Sequence, residues 1–548
     1  MRGVAETKHV QKSFGRIDQH VRKILRRTGY PGLSIALTDR RRTLWLRTYG
    51  YSELESKTRV KPDTLFQIGS ISKFFTSLIL MQLREEGLVD LARPLTAYLP
   101  WFQVKTKYGA ITLHHLLTHT SGMIIGQEES PAGIPSVWAL RDTETGAAPG
   151  QYFHYSNHGY KAIGLVLERI TGEPYGSLIT TRLLRPLAMN STEAVITNEM
   201  RSRLAVGYAP FYEDRPFSLG GRLAPAVWFE SGTADGTICS TPEDMCRFIR
   251  MLLNRGECPR GRVVSRESFD LMAYPHVKPE DSTHGESYGY GMNVGKYDGH
   301  PCLWHGGGMP GFNTSIIADM ENGLGVVTMI NGPGAPEDVS LLAMRTMWAA
   351  RSGAKAPALR VPQRFHVERP QQYEGSYRSG ETVLRITASK DGLWLMSGRA
   401  RNRLEPMGSD RFYSRAKGMD LFLFRFGRRD GKVVELFHGP DWYVNASYHG
   451  PRDYPTREDW QSLVGHYCAT AIYASNFRIV LRKGALSLID PGDGDPEEEQ
   501  PLIPLDDGSF RIGVDPRCPE RIRFDMLIDG QAHLAVRSGA RYYRTFTP

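Results

Sequence analysis

The C-terminal part of this chain repeats itself, and that repetition restricts its fold more than any other feature. The segment Tyr373-Glu374-Gly375-Ser376-Tyr377 is echoed about ninety residues later by Leu463-Val464-Gly465-His466-Tyr467. Each copy continues with a strand-like pair, residues 383–386 and 393–395 in the first and 477–481 and 486–488 in the second. Two more landmarks recur in the same order: 404–407 against 502–505, then 422–426 against 522–524. Short alternating runs, punctuated by Gly, Asp and Asn and present twice, predict two small antiparallel β-barrels.

Residues 1–350 follow another pattern. Gly32-Leu33-Ser34-Ile35-Ala36-Leu37 and Thr43-Leu44-Trp45-Leu46 predict two strands around a polar turn with Asp39 and Arg40. Thr314-Ser315-Ile316-Ile317-Ala318 and Gly325-Val326-Val327-Thr328-Met329-Ile330 predict another pair, and helical runs such as 245–253 lie between. Strands from both ends with helices from the middle imply one large α/β unit. The stretch SGAKAPALRVPQRF at 352–365 has two prolines and no period, which fits a linker. The expected domains are therefore 1–355, 366–452 and 456–548.

Composition narrows the functional classes. With 548 residues, 41% of them apolar, the chain can bury a large core without a disulfide framework. Its six cysteines (239, 246, 258, 302, 468 and 518) form no C-x-x-C pair, so zinc and iron–sulfur sites are not expected and reduced thiols are. The net charge of +9 is dispersed among acids, as in Asp39-Arg40-Arg41-Arg42 and Arg428-Arg429-Asp430, so no nucleic-acid partner is expected. The first twenty residues hold no apolar core, and no run approaches the roughly 18 apolar residues of a membrane span. A cytoplasmic chain without a membrane partner is the expectation.

The sharpest chemical signal is Phe66-Gln67-Ile68-Gly69-Ser70-Ile71-Ser72-Lys73-Phe74-Phe75. Apolar residues at 71, 74, 75, 78, 79 and 83 have helical spacing, and Gly87 supplies a stop. Ser70 then sits at a helix start, where free N–H groups and the positive dipole end favour an oxyanion. Lys73 lies one turn up the same face, within reach of the Ser70 hydroxyl. A serine hydroxyl needs a base, and a lysine serves as one where desolvation or nearby cations favour its neutral form. Alone, S-x-x-K is a weak pattern that occurs by chance in many proteins, more often as an N-cap serine with a surface lysine. Two companions change that: Tyr155-Ser156-Asn157 ahead of the helical run 160–170, and Trp304-His305-Gly306-Gly307-Gly308 ahead of a strand.

In these three motifs the chain resembles the serine β-lactamases and penicillin-binding proteins, in particular the class C β-lactamase-like branch with its carboxylesterases and D-aminopeptidases. That family carries S-x-x-K, Y-x-N, and K-T-G or H-x-G in this order. Leu116-Leu117-Thr118-His119-Thr120-Ser121-Gly122, residues 88–100 and the run from Gly236 to Asp244 agree with it. The resemblance, over roughly 15–350, implies an antiparallel sheet flanked by helices plus an all-helical subdomain, followed here by two lipocalin-like barrels. It implies an acyl-enzyme on Ser70, with Lys73 and Tyr155 sharing the proton transfers and the acylation base left open between them. Asn157 would position substrate and lysine, and His305 would replace the K-T-G lysine. Gly307 would line the substrate site, and the backbone N–H groups of Ser70 and Gly308 would form the oxyanion hole. No metal or organic cofactor is implied. His114, His115, His119 and His154 lack metal-ligand spacing and are expected to be structural.

The imidazole of His305, mostly neutral at pH 7, would hold a substrate carboxylate less well than a lysine and favours neutral or amine-bearing substrates. The tail architecture resembles three-domain D-aminopeptidases, in which a loop of the last barrel restricts the substrate. The acidic run Asp490-Pro491-Gly492-Asp493-Gly494-Asp495-Pro496-Glu497-Glu498-Glu499 is the candidate loop. There Asp493 and Asp495 would hold a substrate ammonium. The expected protein is a serine hydrolase for short peptides or amino-acid amides, with a homodimer as its assembly. Carboxylesterase, acyltransferase and non-catalytic binding protein are the alternatives.

Overall fold

The structure, a computed structural model, describes residues 2–126, 132–358, 364–390, 392–397, 399–492 and 498–545; the side chains of residues 2–11 and 397 are outside it. The chain divides into two compact units. One comprises Met1–Ala209, Ala224–Val361 and Arg517–Pro519; the other comprises Pro210–Leu223, Pro362–Pro516 and Glu520–Pro548.

The first unit is built on an eight-stranded sheet. Strand β1 (Gly32–Asp39) pairs antiparallel with β2 (Thr43–Glu53) on one side and with Leu324–Ile330 on the other. Phe312–Asp319 and His300–Met309 continue the sheet, also antiparallel. The ends of the region thus meet in one sheet, as the strand pattern predicts.

Strand β1 is buried nearly throughout because both faces of the sheet are covered. Leu33, Ile35 and Leu37 point to a core shared with helix α1 (Arg2–Thr28) and the helix Pro336–Ser352. Ala36, of opposite parity, joins the larger core around helix α2 (Ser72–Glu85) and the helix Pro242–Leu253. Helix α1 is a feature the sequence reading did not contain. Its apolar stripe is thin (Phe14, Ile17, Val21, Ile24 and Leu25) and sits in a strongly polar segment. Helix α2 is buried on every side at its start: the polar residues Ser72, Lys73, Thr76 and Ser77 are as fully enclosed as Phe74, Phe75, Leu78 and Ile79.

The second unit holds two closed barrels of eight antiparallel strands each. The first closes through Arg378 opposite Val444, the second through His466 opposite Thr545. The repeat seen in the sequence has a physical basis in one hydrogen bond. Tyr377 and Tyr467 are fully buried, and each hydroxyl donates to the carbonyl four residues earlier, Tyr373 O and Leu463 O, at 2.9 Å. Each tyrosine thereby ties the 3₁₀ turn that enters its barrel to the first strand.

Replacing Tyr377 by Phe leaves the Tyr373 carbonyl without this donor. It should destabilise the first barrel by about 1 kcal/mol, read as a lower urea midpoint for that barrel's transition with the first unit's transition unchanged.

Candidate active site

Ser70 lies in a 3₁₀ turn, Gly69–Ile71, that runs directly into α2. Beside this turn passes the strand His300–Met309, and two glycines let them touch. Gly69 adopts φ +52°, and a Cβ there would sit 2.7 Å from the Gly308 nitrogen. A Cβ on Gly307 would sit 1.9 Å from the Ile68 carbonyl oxygen, closer than any real contact. This approach brings the Gly308 backbone nitrogen beside the turn that bears Ser70.

Lys73 is fully buried. Its Nζ donates to three oxygens: Ser70 Oγ at 3.0 Å, Asn157 Oδ1 at 2.7 Å and the Asp235 main-chain carbonyl at 2.8 Å. An ammonium has three protons, so all are used. The amide oxygen and the main-chain carbonyl only accept. If Nζ gives up a proton, the Ser70 contact is the one that can reverse, with Oγ–H donating to the amine. Neighbouring residues of α2 fix the loop that supplies the carbonyl. Thr76 Oγ1 donates to Ala234 O at 2.6 Å, and Ser72 Oγ accepts from Ile238 N at 3.2 Å.

Asn157 opens the helix Asn157–Thr171, which Ser156 caps by accepting from Gly159 N at 3.2 Å. The preceding segment is held by His119. Its carbonyl accepts from His154 N at 2.7 Å, and its Nδ1 accepts from Ser156 N at 3.0 Å. His119 is buried, which pushes its pKa well below the usual value, helped by the charge of Lys73. The ring is therefore neutral with its proton on Nε2. Its centroid lies 4.1 Å from that of Tyr155. In the sequence this histidine reads as structural; in the molecule it packs against a motif residue. Lys73 Nζ lies 4.9 Å from the centroid of Tyr155 and 5.7 Å from that of Tyr160. The Tyr155 hydroxyl is buried and has no hydrogen-bond partner among the described residues.

His305 is buried with both ring nitrogens engaged. Nδ1 meets the Gly306 carbonyl, which can only accept, so Nδ1 carries the proton. Nε2 then accepts from the Tyr288 hydroxyl at 3.1 Å. Burial lowers its pKa to about 4; the Gly306 carbonyl opposes that, and the charge of Lys73 adds to it. At neutral pH the strand presents a neutral ring at this position.

Two acidic-run residues have other roles. Glu499 pairs with Arg425 at 2.6 Å and with Arg482, and Asp490 pairs with Arg537 at 3.1 Å. Asp493 and Asp495 lie outside the described residues. Sequence reasoning also missed Asp235, whose carbonyl meets Lys73, and Lys161, whose charge acts on the Asp235 carboxylate; both are buried. Lys161 stands four residues after Asn157, on the same helix face, which was the available signal. Asp235, ahead of a glycine, reads as a turn residue. Among the described residues no cluster of three or more His, Cys, Asp or Glu could hold a metal ion. No helix among them is long and apolar enough to cross a membrane.

The Beta-lactamase family model matches residues 17–349, and the chain belongs to that family, the serine β-lactamases and penicillin-binding proteins. Penicillin-binding protein 4* of Bacillus subtilis (strain 168) is 24% identical over 428 residues, covering 72% of this chain and 90% of that protein. Protein flp of Staphylococcus aureus (strain N315) is 26% identical over 342 residues, covering 59% of this chain and 64% of that protein. Among solved structures, the octameric penicillin-binding protein homologue from Pyrococcus abyssi superposes with TM-score 0.59 at 26% identity, covering 79% of this chain and all of that one. EstCE1, a hydrolase with promiscuous acyltransferase activity, shares the fold with TM-score 0.53 at 20% identity, covering 62% of this chain and 98% of that one.

Gly307→Ala should drive the strand away from the turn bearing Ser70. The rate of acyl-enzyme formation, followed by intact-protein mass spectrometry, should fall by about a hundredfold or more, while circular dichroism shows the fold retained.

Proposed function

We propose that this protein is a serine hydrolase that cleaves an amide or ester through an acyl-Ser70 intermediate, acting on short peptides or amino-acid amides with a free amine. The observation that carries the chemistry is the Lys73 amine, buried and 3.0 Å from Ser70 Oγ, with only that contact able to reverse.

In this reading the neutral amine of Lys73, with Tyr155 beside it, takes the Ser70 proton as Oγ attacks the substrate carbonyl. Negative charge on the carbonyl oxygen is met by the backbone N–H groups of Ser70 and Gly308. Collapse of the tetrahedral intermediate expels the amine or alcohol, which leaves with a proton from the Lys73–Tyr155 pair. Water then releases the acyl group by the same steps. Asn157 keeps Lys73 in place, and Gly307 allows the close approach that forms the site.

Substrate preference rests on His305. A neutral ring offers no charge to a substrate carboxylate, which supports amine-bearing or neutral substrates. Ester cleavage and acyl transfer use the same acyl-enzyme and differ in leaving group or acceptor. Self-association belongs to the same proposal, since the Pyrococcus abyssi homologue is described as octameric; sedimentation velocity measures it.

Wild type and Ser70→Ala, mixed with p-nitrophenyl esters, D- and L-amino-acid p-nitroanilides and a β-lactam, give the primary test. An acyl mass increment on wild type that is absent from Ser70→Ala is expected. The amino-acid anilides should turn over fastest, and an added amine or alcohol acceptor should separate transfer from hydrolysis. No adduct and no turnover across the panel would sink the proposal. His305→Lys places an ammonium where the neutral ring stands. It should raise kcat/KM for a carboxylate-bearing substrate relative to a neutral analogue by about tenfold.

A further inference from the structure

The buried surroundings of Lys73 contain a second lysine and a carboxylate that the mechanism above does not use. Lys161 is 1% exposed and Asp235 is 6% exposed. Asp235 is tied to the catalytic amine through its own backbone, since its carbonyl accepts from Lys73 Nζ at 2.8 Å. Its carboxylate oxygen Oδ1 has no hydrogen-bond partner among the described residues. A buried carboxylate oxygen that finds no donor among the described residues leans on nearby charge.

We propose that Asp235 and Lys161 are positioning residues, a buried pair of opposite charges that sets the protonation of the Lys73–Tyr155 unit. Asp235 favours the proton on Lys73, and Lys161 limits that preference. The inference rests on the roles of Ser70, Lys73 and Tyr155 proposed above.

The charge balance follows from the groups that face these two. Burial alone would raise the Asp235 pKa. The charges of Lys161 and Lys73, with the Thr233 hydroxyl, more than offset this and hold it below the ordinary carboxylate value. Lys73 is faced by Ser70 and by Asn157, Tyr155, Tyr160, His119 and His305. His119 and His305 are neutral, and the Tyr160 phenol is pushed above its usual value by burial. On the Asp235 side, His158 is lowered to about 4 by burial, and the Tyr175 phenol is raised by burial. At neutral pH these rings carry no charge. Lys161 Nζ also donates to Ser136 Oγ at 3.4 Å, and the carboxylates Glu168 and Glu230 line the same cavity as Lys161. Asp235 and Lys161 are the buried charges of this surround, and they bias the amine. The cavity, of about 640 Å³, is also lined by Thr233 and Ala234, so shortening Lys161 adds to existing space.

The test is the pH dependence of the acylation rate between about pH 5 and pH 10, measured with a p-nitrophenyl ester. The limb in which activity is lost as pH falls reports protonation of the Lys73–Tyr155 unit. Asp235→Asn removes the anion and should move that limb down by about one pH unit. Lys161→Met removes the cation and should move it up by about one unit, whereas Lys161→Arg keeps it near wild type. The double variant Lys161→Met/Asp235→Asn should fall between the two singles.

Limbs that coincide with wild type, or that move in the same direction in both singles, overturn the inference. Each sign stands alone, so either single variant decides the matter if the other fails to fold by circular dichroism. A wild type that forms no acyl adduct overturns the hydrolase reading instead; an adduct with unmoved limbs overturns this inference alone.

Discussion

The buried amine of Lys73 is the point on which the first unit depends. A cation withdrawn from water is tolerated only when its protons find acceptors, and the acceptors here come from three separate segments. Ser70 is one turn back on the same helix, Asn157 begins another helix, and Asp235 belongs to a loop. Because α2 is buried on all sides around Lys73, the side chain has no route along which to extend to solvent. The contacts that assemble the fold are therefore also those that aim the amine at Ser70.

Around that amine the molecule keeps its histidines neutral. His119 and His305 lose their charge to burial, and each spends its nitrogens on orientation: His119 on the Ser156 backbone, His305 on Gly306 and Tyr288. A site with several protonated rings would repel the ammonium of Lys73. Neutral rings add no such repulsion. The strand beside the turn brings the Gly308 backbone nitrogen close to it and carries an uncharged ring at His305.

Much of this was legible in the sequence where neighbours in space are near neighbours along the chain. The helical spacing after Ser70 placed Lys73 one turn on, and the order of strands placed both ends of the region in one sheet. Helix α1 escaped because five apolar residues in a highly charged segment do not stand out by composition. Lys161 escaped for a related reason: a lysine on a helix is usually solvated, and only packing shows that this one is buried. The acidic run illustrates the converse. Within it Glu499 is satisfied between Arg425 and Arg482, which no local pattern reveals, while Asp493 and Asp495 lie outside the described residues.

Sequence separation explains which inferences succeed. Tyr377 and Tyr467 each bond a carbonyl four residues back, so the requirement is written within five residues and survives in both copies of the repeat. The junction of the two barrels relies instead on Arg425 with Glu499 and on Lys483 with Glu435 at 2.8 Å, partners from different copies. Asp235 and Lys73 are 162 residues apart. A residue whose partner is its own turn announces itself, whereas one whose partner arrives only through folding has no sequence context to mark it. In this protein the second kind includes Asp235, whose carbonyl accepts from Lys73 Nζ, so the surroundings of that amine become visible only once the chain is folded.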